Sequence, residues 1–211
     1  DLHSFPTRRS SDLVGVFWNS RNRLVRKSEL FKTIRKRIIA RDQAFALLRD
    51  LDQSAAVYAA LRDPQDATWN NDEKDALEQL LMFNVRQPLA MLMACHARYF
   101  EHERSAFTRI LKAIAVVSFR YNVICNLQTH EQERLYNEIA SKVTDNKFER
   151  ASDVVVSLRE VYPDDNPFKA AFTDKELRTT NSRNKKVVRY ILFEIERHAD
   201  QIGRASCRER V

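Results

Sequence analysis

Reactive side chains are few in these 211 residues, and their spacing limits what they could do. Cys95 and His96 are adjacent, the residue types of an activated thiol, but a working pair needs spatial partners that adjacency along a chain does not supply. Ordinary helix composition accounts for them. His96, His102, His130 and His198 have no metal-ligand spacing, and Cys95, Cys125 and Cys207 form neither a zinc pattern nor a disulfide framework. The acid pairs Asp164 with Asp165 and Glu101 with Glu103 read as loop and helix-face charges. With two glycines in the chain, no Gly-rich loop can cradle a phosphate. No catalytic residue and no metal ligand is assigned.

What the chain offers instead is positive charge in one place. Nine basic residues lie between Arg21 and Arg41 against Glu29 alone, a local net of +8 in a chain of formal net charge +7. Lys32, Arg35 and Lys36 share one helical face and could contact a phosphate backbone. A solvated helix face is the plainer alternative. Near the other end, Arg183, Lys185, Lys186 and Arg189 form a second cationic group, with Lys185, Lys186 and Arg189 opposite a stripe of Val187, Val188, Ile191, Leu192 and Ile195. Tyr190 and Phe193 sit beside that polar face. Aromatic residues there suggest a second surface, such as a neighbouring domain, covering that side.

The elements that must carry these residues are helices. Scarce glycine and proline, beside 44% hydrophobic and 31% charged residues, argue against sandwiches, barrels and disorder. Apolar spacing and caps predict helices from Ser28 (Leu30, Phe31, Ile34 and Ile38 inward), from about Asp42 to Arg62 (Phe45, Leu48, Leu51 and Tyr58 inward), and from a cap at Asn71 or Asp72. Pro88 opens the next. Ile110 to Phe119 is apolar nearly all round, as a helix surrounded by others would be, and is far shorter than the roughly 20 residues a bilayer requires. Asn122, just after it, is a candidate buried hydrogen-bonding group. Thr129 and Gln132 have capping-box spacing, Ser152 can cap the following segment, Asn166 with Pro167 opens a short helix, and a long helix begins near Ser182. The expectation is one all-α domain, a bundle of about seven to nine helices, with no membrane span, in an intracellular protein.

Both ends are expected to be foreign to that domain. Residues 202 to 211 can be encoded by a DNA whose reverse complement, in one frame, encodes HSFPTRRSSD, which is His3 to Asp12. Two unrelated peptides should not share opposite strands of one oligonucleotide, and this one resembles a sequencing-library adapter. Residues 1 to 13 and 202 to 211 are therefore expected to be adapter-derived and to pack against nothing, leaving 14 to 201 as the domain, with net charge +5.

Four stretches, VFWNSRNRLVRKSELFKTIRK, SFRYNVI, RLYNEIASKV and above all FKAAFTDKELRTTNSRNKKVVRYILFEIER, together resemble the helical region of GmrSD-like type IV restriction endonucleases. The resemblance spans essentially all of 14 to 201. It implies a phage-defence parent acting on modified DNA in a prokaryotic cytoplasm, with a ParB-like nucleotide-binding domain before this region and an HNH nuclease domain after it. The parent's cofactors would be a nucleoside triphosphate and a divalent metal, none of them held by this segment. Partners would be DNA, through weak phosphate contacts, and those two domains. The alternative is a non-enzymatic helical scaffold that binds DNA or protein.

Overall fold

A computed structural model describes the backbone of residues 7–208 and the side chains of residues 11–199. Among the described residues there are ten α-helices and no strand: α1 (Thr7–Arg21), α2 (Lys27–Arg37), α3 (Arg41–Ala60), α4 (Asn71–Phe83), α5 (Leu89–Tyr99), α6 (Arg104–Ser118), α7 (Thr129–Thr144), α8 (Ala151–Ser157), α9 (Asp165–Thr173) and α10 (Ser182–Arg208). A π-helical segment, Phe119–Ile124, extends α6, and a 3-10 turn, Leu158–Val161, ends α8. The all-α expectation holds. The helix not foreseen is α1, because half of it lies in the segment set aside as foreign.

Helix α6 is the centre, as its composition predicts. Phe107, Ile110, Leu111 and Ile114 are fully buried, and only Lys112 and Val116 among the apolar run from Ile110 reach open solvent. Helices α4, α5 and α8 pack against it, α1 and α7 pack on α5, and the second half of α3 closes over α1 and α5 through Ser54 and Tyr58. A smaller cluster joins Phe83, Val123, Ile124 and Val187 at the junction of α4, the π segment and α10, with Phe168 of α9 against it. Arg120 secures that junction: its guanidinium lies 4.4 Å from the Tyr162 ring and 4.1 Å from the Phe168 ring, and pairs with Asp165 at 2.7 Å.

Local chemistry explains where elements stop. Residues Asn84, Asn126 and Asn146 all have positive φ, so asparagine takes the left-handed positions in a chain nearly without glycine. Asn84 ends α4, and Asn70 with Glu73 forms the capping box that begins it, one residue before the predicted cap. Two other predicted caps differ. Gln132 turns inward to pair reciprocally with Asn122, at 3.0 and 3.2 Å, so the Thr129 capping box does not form and Asn122 has its hydrogen-bonding partner. At α8 the carboxylate of Asp153, not Ser152, serves the helix start by accepting from the Arg150 backbone N–H at 3.0 Å.

Inward predictions fail on α2 and the start of α3. Phe31 is 76% exposed, Phe45 54% and Leu48 59%, whereas Leu30, Ser54 and Tyr58 are buried. Helix α2 and the first half of α3 form an arm on the bundle rather than part of it. Phe45 and Leu48 lie on a stripe distinct from Leu47, Leu51, Ser54 and Tyr58, and the bundle has neighbours for only the second.

Two contacts are made at the N-terminal boundary. Leu13 is partly buried against the main core, and Asp12 pairs with Lys27 at 2.9 Å, so these two residues touch the rest of the chain where no contact was expected. Residues 1–6 and 209–211 lie outside the described residues, as do the side chains of 202–208. No described helix is long and apolar enough to cross a membrane.

Candidate nucleic-acid interface

On α2, the face toward α1 is set by buried Leu30 and by Arg37, whose guanidinium lies 5.8 Å from the Trp18 ring. Those anchors turn Lys32, Arg35 and Lys36 outward, all three exposed. Glu29 is the acid nearest them, 4.0 Å from Lys32. The helix's basic last turn, Arg35 to Arg37, also suits the negative end of its dipole. This face can meet an anionic backbone without displacing an internal ion pair of strength.

The cations of α10 are placed differently. Arg183 is committed to α4: its Nε donates to the Met82 carbonyl at 3.2 Å and its Nη2 to that of Phe83 at 2.5 Å, capping the last turn of that helix. Lys186 and Arg189 line an open groove of about 1370 Å³ between α4 and α10. Asp72, Asp75 and Glu78 line it too, and Lys112 pairs with Asp72 at 2.8 Å. Arg62, Lys112 and Arg197 stand in the same lining, so acids and cations are interspersed there and partly offset each other, and α10 offers DNA a weaker positive field than its own sequence suggests. Lys185 is exposed and lies outside the groove lining.

The two aromatic residues expected to face a neighbouring domain part company. Tyr190 packs into its own bundle, 5.5 Å from the Phe83 ring and 5.6 Å from that of Phe119, while Phe193 is 61% exposed in the groove. The predicted stripe also divides. Val187 and Ile191 face the core together with Tyr190, whereas Leu192 and Ile195 remain exposed.

Of the residues with catalytic chemistry, Cys95, His96, Glu103 and Asp165 make structural contacts. Cys95 is fully buried, and burial pushes its thiol up to about 12, so no thiolate forms near neutrality. His96 stacks on Phe100 at 4.2 Å beside Trp69 and Phe107, and burial lowers its pKa despite the opposing pull of Glu101 and Glu73. His102, His130 and His198 are exposed, Glu103 pairs with Arg109 at 3.5 Å, and Asp165 belongs to the Arg120 clamp. Among the described residues no three His, Cys, Asp or Glu side chains are placed to hold a metal ion.

Sequence reasoning missed Phe31 and Phe45 as surface groups. The available signal was that each is a helical residue with a cation four positions before and after it. It also missed Glu73, a fully buried carboxylate. No protein family, curated protein or solved structure matches this chain.

Proposed function

We propose that this domain is a non-catalytic helical connector of a restriction enzyme of the GmrSD-like kind, binding DNA weakly through phosphates while a nucleotide-dependent domain and a metal-dependent nuclease domain act on modified DNA. The observation that carries the DNA part is the exposed, same-side placement of Lys32, Arg35 and Lys36 on a helix anchored by its opposite face. The connector part is supported by where large apolar side chains stay exposed. Ile39 (86%) lies on the arm, and Leu192 and Ile195 on α10, apolar groups that the bundle leaves uncovered. The same observation favours the second reading, a scaffold that docks proteins without any nuclease.

Binding of a labelled random-sequence duplex, measured over a range of salt, tests the DNA part. Three phosphate contacts give a slope of log affinity against log salt of about −2.7, at roughly −0.9 per contact, with little dependence on base sequence. Reversing Lys32, Arg35 and Lys36 to Glu should flatten it with helix content unchanged. An unchanged slope in the folded triple variant overturns the DNA part. Gene sequence on either side of this segment tests the rest: a metal-ligating ββα pattern downstream supports the nuclease parent, and a stop codon directly after it supports the scaffold.

A further inference from the structure

On the arm, one arrangement occurs twice. Lys27, Phe31 and Arg35 follow at four-residue spacing on α2, and Arg41, Phe45 and Arg49 do the same on α3, so each phenyl ring stands between two cations one helical turn away on either side. Both rings are mostly exposed. The Arg41 guanidinium lies 5.4 Å from the Phe45 ring, a cation against a π-face. Lys27 reaches Asp12 at 2.9 Å, but Lys27 is largely exposed and Asp12 partly so, and such a pair is readily exchanged for a phosphate.

We infer that the α2–α3 arm binds unpaired nucleic-acid strand, with Phe31 and Phe45 stacking on bases and Lys27, Arg35, Arg41 and Arg49 neutralising the phosphates on either side. The inference rests on the phosphate-binding reading above and adds the bases to it. Charge decides the class of partner: the stretch that holds both rings, Lys27 to Arg49, carries seven cations against Glu29 and Asp42, which calls for a polyanion. The interleaving decides between polyanions. An anionic membrane surface wants apolar and cationic groups on separate faces, whereas here ring and cation alternate along one line. Duplex DNA keeps its base faces stacked on each other and offers the rings nothing, while a single strand offers a π-face with every phosphate.

The test compares three probes of equal length against the full chain: an oligo-dT strand, the same strand with abasic sites throughout, and a duplex. The abasic strand keeps every phosphate and lacks the bases. Tighter binding of oligo-dT than of the abasic strand, by about tenfold for one well-stacked base, is expected. The double variant Phe31→Leu and Phe45→Leu keeps the apolar bulk but loses both rings, so it should erase that preference while leaving duplex affinity and the melting temperature unchanged. Equal, salt-steep binding of all three probes, or a preference that survives in the leucine variant, overturns the stacking inference and leaves phosphate binding standing. No binding to any probe at low salt overturns both. Binding to vesicles of anionic lipid, or self-association, that depends on the two phenylalanines would assign the rings to another partner and overturn the inference as well.

Discussion

The Glu73 carboxylate lies entirely out of solvent and takes two hydrogen bonds from the Arg104 guanidinium, from Nε at 3.2 Å and from Nη2 at 2.7 Å. Thr108 Oγ1 donates to it at 2.8 Å and the Asn70 backbone N–H at 3.0 Å, so one side chain begins α4 and ties it to α6. Burial alone would raise this carboxyl's pKa. The hydrogen bonds from Arg104, Asn70 and Thr108 outweigh it and hold the group below its ordinary value.

Glu73→Gln should therefore destabilise by about 2 kcal/mol, less than the 3 to 5 typical of a fully buried pair because the half-exposed Arg104 can recruit water. Since the folded-state pKa is lowered, the pair's contribution is complete above the ordinary glutamate range and lost as pH falls through it toward the lower folded value. Urea unfolding of wild type and variant should converge as the pH is taken down into the acid range. A gap that stayed constant with pH would show that the ion pair is not its source.

Asn137 of α7 holds the chain as it leaves α1. Its Oδ1 accepts from the Leu24 N–H at 2.7 Å and its Nδ2 donates to the Asn19 and Asn22 carbonyls at 2.6 and 3.0 Å. Asn137→Ala should cost about 2 kcal/mol by chemical unfolding, because three backbone groups lose their partner. Asn137→Asp should cost no less, since a carboxylate keeps one bond and faces two carbonyl oxygens.

Arg183→Ala should loosen α10 more than it lowers global stability. Two α4 carbonyls lose a charged donor, about 1 kcal/mol for partly exposed groups. Hydrogen exchange should quicken in the first turns of α10 while α6 stays protected. Equal loss of protection in both helices would mean that α10 opens only with the whole domain.

Leu13→Ala should cost about 1 kcal/mol, since the side chain packs against the core but is only partly buried. Asp12→Ala should change stability by no more than about 0.5 kcal/mol, because its ion pair with Lys27 is exposed. Thermal melting distinguishes the two. No loss from Leu13→Ala would restore the expectation that residues up to 13 are foreign to the fold.

The amino-acid order alone determined the class and the positions of the helices after α1. Pro88, the Asn70 region and the spacing of Ile110, Leu111 and Ile114 mark where backbone can be helical and which helix is ringed by others, because caps and periodicity act within a few residues. Which apolar stripe becomes core was decided only by tertiary structure. Leu51 and Phe45, or Ile191 and Leu192, are alike in residue type and periodicity, yet one of each pair is covered and the other exposed. A helix with two apolar stripes can bury only as many as it has neighbours, and the neighbours come from distant sequence: Phe83 and Phe119 for α10, α1 and α5 for α3. The candidate interface follows the same rule. The cations could be read from spacing, but Arg183 turned from α10 to the carbonyls of α4 across about a hundred residues, and the rings of Phe31 and Phe45 stayed exposed between their cations because the bundle has no helix to set against them.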